Sequence, residues 1–384
     1  MTQPDFDLIL AGGGLANGLI ALRLAQVRPD LRVALVEAGE HFGGNHTWSF
    51  FASDLTPAQH DWIAPLVAHR WQRYTVRFPT HSRTLHNGYY SATSPLLHAA
   101  LCDVLPANCR FTGVPIVHVT PDSVTLGDQR VLSAHAVVDG RGQGGAPALD
   151  LGWQKFVGLE VELAEPHGLN DPIIMDATVD QHDGYRFVYT LPFGPTSCLI
   201  YDTYYTDGPE LSAATLEQRT HAYAASQGWR IARTLRTEKG VLPIAIGGDI
   251  TAHLASRAAG IAPSGMNAAL FNAVTGYSLP HAVRVADLVA TLPELSGATL
   301  DRAIRDHARQ SWQDQAFLRV LNKMLFRGAR PDERWRILDR FYKLDASLIE
   351  RFYAGHTNWR DKVRILTGKP PIPIHRGLAA ILRG

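Results

Sequence analysis

Glycine clusters that open helices, and carboxylates that end apolar strands, are the residues of this chain whose spacing could do chemistry. Gly12, Gly13 and Gly14 separate an apolar run (5–11) from an Ala/Leu-rich helical run beginning near Leu15 and Ala16. The next apolar run (32–36) ends in Glu37. That order is one βαβ unit fitted to a dinucleotide. Gly12 permits the tight turn, Gly14 lets backbone approach a pyrophosphate, the helix aims its positive end at the phosphate, and Glu37 can accept from a ribose 2′-hydroxyl. Asn17 stands where the fingerprint expects a third glycine, between Ala16 and Gly18. These residues leave both FAD and NAD open. Asp139-Gly140 ends another apolar strand and would deliver backbone to the same crevice. Thr275, Gly276 and Tyr277 lie in a second glycine loop that runs into a helix expected over 282–292. It could offer a second helix N-terminus to a cofactor, or be an ordinary capped turn. Acid chemistry has two candidates, Asp176 and Asp202, each at the end of an apolar strand. A desolvated carboxyl there could stay protonated at neutral pH; the alternative is that each simply caps a turn.

The elements that must position these groups follow from periodicity. Runs 71–79 and 83–90 read as strands, and 94–105 as a helix with proline in its first turn. Short strands separated by Pro121-Asp122 and Gly127-Asp128 form a meander. From Trp153 the pattern becomes alternating strands at 156–163, 172–176, 185–191 and 197–203, then a helix at 211–227 and a strand at 235–246. Together they predict an antiparallel sheet forming a second domain. Residues 300–384 read as helices. Between Ser311 and Gly384 there are 15 Lys/Arg against 7 Asp/Glu, with aromatic and aliphatic residues interleaved. A basic amphipathic surface of this kind suits an anionic membrane face; the alternative is a helical cap with solvated arginines.

Composition bounds the answer. The chain has 384 residues, is 46% hydrophobic and 19% charged, and carries a net charge of +1. It is long enough for two domains and an appendage. Nothing in that balance creates the field a nucleic acid requires. Cys102, Cys109 and Cys198 form no C-x-x-C and read as reduced packing residues, so no metal site is expected. The first strand begins within six residues of Met1, leaving no room for a secretion leader, and no apolar run is long enough to span a bilayer.

Longer motifs carry a resemblance. Leu10-Ala-Gly-Gly-Gly-Leu-Ala-Asn-Gly-Leu-Ile-Ala21, His46-Thr-Trp-Ser49, Gln154-Lys-Phe-Val-Gly-Leu-Glu160, Met175-Asp-Ala-Thr-Val-Asp-Gln181, Gly184-Tyr-Arg-Phe-Val-Tyr189, Leu191-Pro-Phe193, Thr275-Gly-Tyr-Ser-Leu-Pro280, Arg351-Phe-Tyr-Ala-Gly355 and Gly368-Lys-Pro-Pro371 span the sequence. On these, the chain resembles the bacterial flavoprotein lycopene β-cyclases essentially from end to end. The resemblance implies an α/β fold with a Rossmann-type FAD-binding domain, an antiparallel β-sheet substrate domain and a C-terminal helical region. We expect the FAD domain at 1–50, 83–150 and 255–299, and the substrate domain at 51–82 and 151–254. The membrane-docking region is expected at 300–384. It also implies reduced FAD, with NADPH or NADH as reductant, and lycopene or other ψ-ended carotenoids as substrate. The protein would sit peripherally on the cytoplasmic side of the membrane. Each ψ-end would be protonated, closed to a six-membered ring and deprotonated, giving γ- and then β-carotene without net redox change. Trp48, Phe51, Tyr185, Phe187, Phe271 and Tyr277 become expected lining residues of the flavin and substrate space.

The sequence departs from the family where the pocket should be. The family typically has glutamate, its favoured acid/base, where this chain has Tyr201. Phe51 replaces histidine, and Asn267, Asn272 and Ala273 replace arginine, histidine and proline. With a phenol at 201, Asp202 or Asp176 would have to serve as acid. Two alternatives remain beside the cyclase: an altered pocket on a cyclase scaffold, and a flavin-dependent oxidoreductase acting on an isoprenoid.

Overall fold

The computed structural model describes residues 3–142, 145–368 and 374–382. The opening βαβ unit forms as its pattern predicts: the Leu8–Ala11 strand, the Leu15–Val27 helix and the Val33–Val36 strand, with both strands buried on both faces. These two strands are central in a five-stranded parallel sheet. Its order is Ala262–Pro263, Val137–Asp139, Leu8–Ala11, Val33–Val36, Arg110–Phe111. The Asp139-Gly140 turn therefore follows the strand next to the glycine turn and the Gly265 loop the strand beyond it, at the carboxyl ends where a doubly wound sheet binds ligands. The expected meander is a three-stranded antiparallel sheet of Ile116–Val119, Ser123–Leu126 and Val131–Ser133.

The second layer is a seven-stranded sheet ordered Ile231–Gly248, Leu149–Leu163, Ser197–Thr206, Tyr185–Pro192, Ile173–Asp176, Tyr74–Phe78, His81–Leu85. It is antiparallel except where Ile173–Asp176 meets Tyr74–Phe78. The Leu149–Leu163 and Ile231–Gly248 strands are 15 and 18 residues long, well beyond the apolar stretches that announced them. Their polar residues face the sheet's other partners and do not end the ladder. The expected strand at 71–79 begins only at Tyr74, because Val67–Trp71 pairs instead with Tyr89–Thr93 in a small sheet that also holds Thr47–Phe51. His81–Leu85, which straddles position 82/83, pairs wholly with Tyr74–Phe78 in the large sheet.

One face of the large sheet is covered by the Ala213–Ser226 helix; Leu216, Tyr223 and Ala224 pack on Val157, Val161, Val188 and Ile200. The other face joins the main core. Helices run from Gly297–Asp314 to Trp359–Leu366 and cap it. Arg334, 1% exposed, ties that cap down: its guanidinium donates to Asp207 at 2.8 Å and lies 4.9 Å from the Phe326 ring.

Candidate functional site

Two helices that pack against each other, Leu15–Val27 and Leu279–Thr291, present uncapped N-termini. The first belongs to Leu15–Val27, whose N-cap, Gly14, offers no side chain to its free N–H groups. A Cβ at Gly14 would meet nothing within 4 Å, so the backbone is open to a ligand there. Gly12 has φ +91°, and a Cβ on it would lie 2.9 Å from the Arg141 nitrogen, so only glycine fits the turn. Asn17 explains its own presence at the third glycine position. Its amide donates to the Ala11 and Gly12 carbonyls at 3.0 and 2.9 Å and accepts from the Ser264 hydroxyl at 2.7 Å, stapling the turn from below. Gly140 must lack a side chain because Asn17 and Ser264 occupy that space, each 2.6 Å from where a Cβ would stand. Glu37 accepts from the backbone N–H groups of Gly13 and Gly39, both at 2.8 Å. Asp139 closes its own turn through Arg141 at 2.8 Å.

The second N-terminus belongs to Leu279–Thr291, also without a side-chain cap bond. Its approach is the loop Thr275, Gly276 (φ +69°) and Tyr277, held by the Asn272 carboxamide, which accepts from the Val274 and Thr275 N–H groups. In front of it lies a cavity of about 260 Å³ lined by aromatic residues, among them Trp48, Phe156, Tyr89, Tyr189, Tyr201 and Tyr277. Gln154 Oε1 and Thr203 Oγ1, both on this wall, lack a hydrogen-bond partner among the described residues. Uncapped helix ends, a glutamate at the end of the second strand and unpartnered polar atoms beside an aromatic space fit an extended dinucleotide carrying a flat ring system.

The cavity's charge comes from a residue the sequence reading did not select. Glu238, 3% exposed, is the one carboxylate among the described lining residues. Tyr201 and Glu238 flank Gly158 on one cross-strand row, each paired with it from opposite sides. Because Gly158 has no side chain, the Tyr201 ring lies across it, 2.2 Å from where a Cβ would be, and the phenol donates to Glu238 Oε2 at 2.7 Å. Burial, and then the neighbouring carboxylate, push the Tyr201 phenol far above its ordinary range, so it stays a neutral donor. Glu238 also accepts from Arg236 at 3.1 Å and from the Thr47 N–H at 3.2 Å, and lies 3.4 Å from His46 Nδ1. Arg236 in turn donates to Glu160, Asn45 and Thr47. A parity count could have found this pair. Arg236 and Glu238 share a strand face with Leu242 and Ile244, which means they point inward.

The structure separates the two expected acids from this cavity. Tyr201 and Thr203 face it, so Asp202 between them points to the opposite side of the sheet. There it is fully buried and held by Arg186 at 2.5 and 2.9 Å; burial raises its carboxyl above the ordinary range and Arg186 opposes that. Asp176 lies on the same far side, accepting from the Tyr223 hydroxyl at 2.9 Å and from the Thr178 hydroxyl at 2.6 Å. Trp48 and Tyr277 do line the cavity, while Tyr185 and Phe187, on the same sheet face as Tyr189, stack on each other at 5.0 Å outside its lining. Phe271 is buried behind the Gly265 loop. Phe51 stacks on Tyr353 at 4.8 Å and lines a different, larger cavity of about 520 Å³ on the other side of Tyr277. Asn267 donates to the Arg141 carbonyl. Ala273 N–H donates to Gln315 at 2.6 Å.

The chain matches the model of the family described as lycopene cyclase protein over residues 7–379. It is 49% identical to the lycopene β-cyclase of Pantoea ananas over 380 residues, 99% of each chain. It is 48% identical to that of a Paracoccus species, covering 96% of this chain and 95% of the relative. Among solved structures it is similar to a geranylgeranyl bacteriochlorophyll reductase-like protein of Thermoplasma acidophilum, with a TM-score of 0.60 at 11% identity, covering 95% and 96% of the two chains. The p-nitrophenol 4-monooxygenase of Pseudomonas putida gives 0.59 at 14%, covering 94% and 96%. These two likenesses establish the fold.

The larger cavity holds a buried carboxyl, Asp54, beside Arg284, His281 and His307. Burial pushes Asp54 up to about 7, against the pull of the Phe51 N–H it accepts from. Burial likewise drives His281 down to about 3, so it is neutral. An aspartate whose folded pKa is raised binds more protons folded than unfolded between its unfolded value and about 7. Stability is therefore highest at low pH and falls as pH rises through that window. We predict that Asp54→Asn, which mimics the protonated form, matches the parent's thermal midpoint near pH 4. At pH 8 it should exceed the parent by roughly 2–4 kcal/mol. Parallel melting curves with no pH-dependent gap would show that Asp54 ionises normally.

Proposed function

The chain belongs to the lycopene cyclase protein family, and from that premise we propose how its cavity performs a redox-neutral cyclisation of the ψ-ends of lycopene to β-ionone rings, giving γ-carotene and then β-carotene. The enzyme is an intramolecular lyase of the isomerase class, and substrate and product have equal mass. A proton adds to the terminal double bond, the neighbouring double bond attacks the tertiary cation, and loss of a ring proton completes the ring. One observation carries this reading: an aromatic-walled cavity at the uncapped N-terminus of the Leu279–Thr291 helix, whose described lining holds one carboxylate, the buried Glu238. Ring faces attract a cation, exclusion of water protects it from capture, and a fixed negative charge favours its formation.

We assign FAD to the crevice. Gly12, Gly13, Gly14, Leu15 and Ala16 would cradle its pyrophosphate and Glu37 its ribose. Asp139, Gly140, Thr275, Gly276 and Tyr277 would line its path toward the aromatic cavity. In its reduced anionic form, with NADPH or NADH as reductant, the bound flavin would supply negative charge beside the forming cation. Trp48 and Tyr201 would face the polyene end directly. A second reading, a carotenoid-binding scaffold that does not cyclise, is favoured by the phenol at 201 in place of a carboxylate. We predict that the FAD-loaded, anaerobically reduced protein converts lycopene in liposomes to a yellow cyclic product of unchanged mass, without stoichiometric NAD(P)H consumption. Pigment that stays linear while FAD remains bound would favour the second reading, and cyclisation gained by Tyr201→Glu would secure it. A redox-changed product would point to an oxidoreductase.

A C40 hydrocarbon must come from a bilayer, and no helix among the described residues is long and apolar enough to cross one. We therefore propose a peripheral membrane contact through the helix Trp359–Leu366. Trp359, Val363 and Leu366 are 69%, 51% and 49% exposed, and their i, i+4, i+7 spacing puts them on one face. Arg360, Lys362 and Arg364 flank them. An apolar stripe with a basic flank suits an anionic lipid surface. Trp359→Ser should weaken binding to vesicles containing anionic lipid at least fivefold in sedimentation assays while leaving FAD content unchanged. Equal partitioning of variant and parent would remove this helix from the contact.

A further inference from the structure

The reaction needs a group that removes the ring proton, and the expected aspartates face away from the cavity. What faces it is a hydrogen-bonded pair built into three adjacent strands. Tyr201 lies over Gly158, and its hydroxyl donates at 2.7 Å to Glu238, which is buried and also lines the cavity. Glu238 accepts from Arg236 at 3.1 Å and from the Thr47 N–H at 3.2 Å, so a guanidinium stands beside it as counter-charge. Behind it stands His46, whose Nδ1 is 3.4 Å away and whose side chain is 49% exposed, so the pair has a contact with solvent.

We infer that Tyr201 and Glu238 act as one proton-accepting dyad for the cyclisation, an inference that rests on the cyclase reading above. The phenolic oxygen of Tyr201 takes the ring proton as its own hydrogen passes to Glu238 Oε2. The C–H bond breaks, its electron pair becomes the ring double bond, and the positive charge on the carbon is discharged. Tyr201 ends the step as it began, a neutral phenol, and Glu238 ends it as a carboxylic acid. His46 then carries the proton to water, restoring the carboxylate. No oxidant or reductant is consumed. Tyr201 alone would be a weak base and Glu238 alone sits behind the ring. Their hydrogen bond makes the phenolic oxygen basic only while the carboxylate can take its proton. Position 201 thus keeps a proton-transfer role without carrying a carboxylate, because the strand beyond Gly158 provides one.

A simpler role exists for Glu238: it accepts from Thr47 and so fastens the loop around residues 45–47 to the large sheet. The test separates the two. Cyclisation of lycopene in liposomes, FAD content and product composition are measured for the parent, Tyr201→Phe, Glu238→Gln, Glu238→Asp and the Tyr201→Phe/Glu238→Gln double variant. The dyad requires each single variant to lose at least about thirtyfold with FAD still bound, and the double variant to be no worse than the poorer single. Residual product should shift toward rings that captured water or lost a proton elsewhere, and Glu238→Asp should recover at least tenfold over Glu238→Gln. The inference is overturned if either single variant cyclises within threefold of the parent or if the losses multiply. It is equally overturned if activity falls in step with FAD release and is not rescued by aspartate. A parent that binds FAD but leaves lycopene linear defeats the cyclase reading, and this inference with it; a cyclising parent with unaffected variants defeats the inference alone.

Discussion

The missing side chain at Gly158 is the constraint on which the cavity's chemistry depends. In an antiparallel sheet, neighbours on one row stand close enough for their side chains to touch, but residues two strands apart are separated by whatever stands between them. With glycine in the middle strand, the Tyr201 ring can lie flat across the gap and reach Glu238 on the far strand. Even a methyl group at 158 would stand inside the ring's volume. The same device recurs nearby: Phe156 covers Gly240, and Phe326 covers Gly152. Three glycines in two long strands thus turn a plain sheet face into an aromatic floor, with Phe156 set edge-on to Tyr201 at 5.2 Å.

Charge on such a floor has to be compensated, because an unpaired buried carboxylate is costly. Glu238 receives a guanidinium, a phenol and a backbone N–H, and Arg236 shares its other donors with Glu160, Asn45 and Thr47. Tyr201, Glu238 and Thr47 line the cavity, and Arg236 ties the loop at Asn45 and Thr47 to the large sheet. Because Asn45 and Thr47 come from the segment that follows Gly43 and Gly44, the electrostatics of the large sheet also set where that loop lies against the crevice. Site charge and loop position are therefore one problem with one solution.

How much of this could be read in the sequence depends on the range of the cause. The glycine turn, the helix behind it and Glu37 obey local rules, and they formed where expected; even Asn17, an exception to the fingerprint, donates within six residues of its own position, though it accepts from the distant Ser264. The strand-end aspartates show where local reasoning stops. Apolar flanks mark Asp176 and Asp202 as buried, but not on which face, and parity against Tyr201 sends Asp202 to the helix side. Glu238 sits in a charged stretch, Arg233 to Lys239, at the start of the strand expected at 235–246. Parity with Leu242 and Ile244 gives its face, but only pairing with Leu149–Leu163, some eighty residues earlier, brings it beside Tyr201. The basic excess of the last quarter was legible as composition. Which helix presents an apolar stripe to solvent was not, since Phe341, Leu348 and Phe352 in the same region turn inward.

A second problem is set by the two cavities on either side of Tyr277. The larger one is polar, with Asp54, Arg284 and histidines on its wall, while a forming carbocation needs a dry partner space. Between them stands a cluster in which the Tyr277 hydroxyl meets Tyr89 at 2.9 Å and Tyr189 at 3.0 Å. Phenols that satisfy one another have no need of water, and burial keeps all three neutral. The cluster can therefore divide wet from dry without placing a charge or an unmet donor at the boundary. A wall of aliphatic residues would exclude water equally well, but it would give a cation less to lean on. A wall built from tyrosine rings does both, which is a physical reason for three tyrosines to share so small a space.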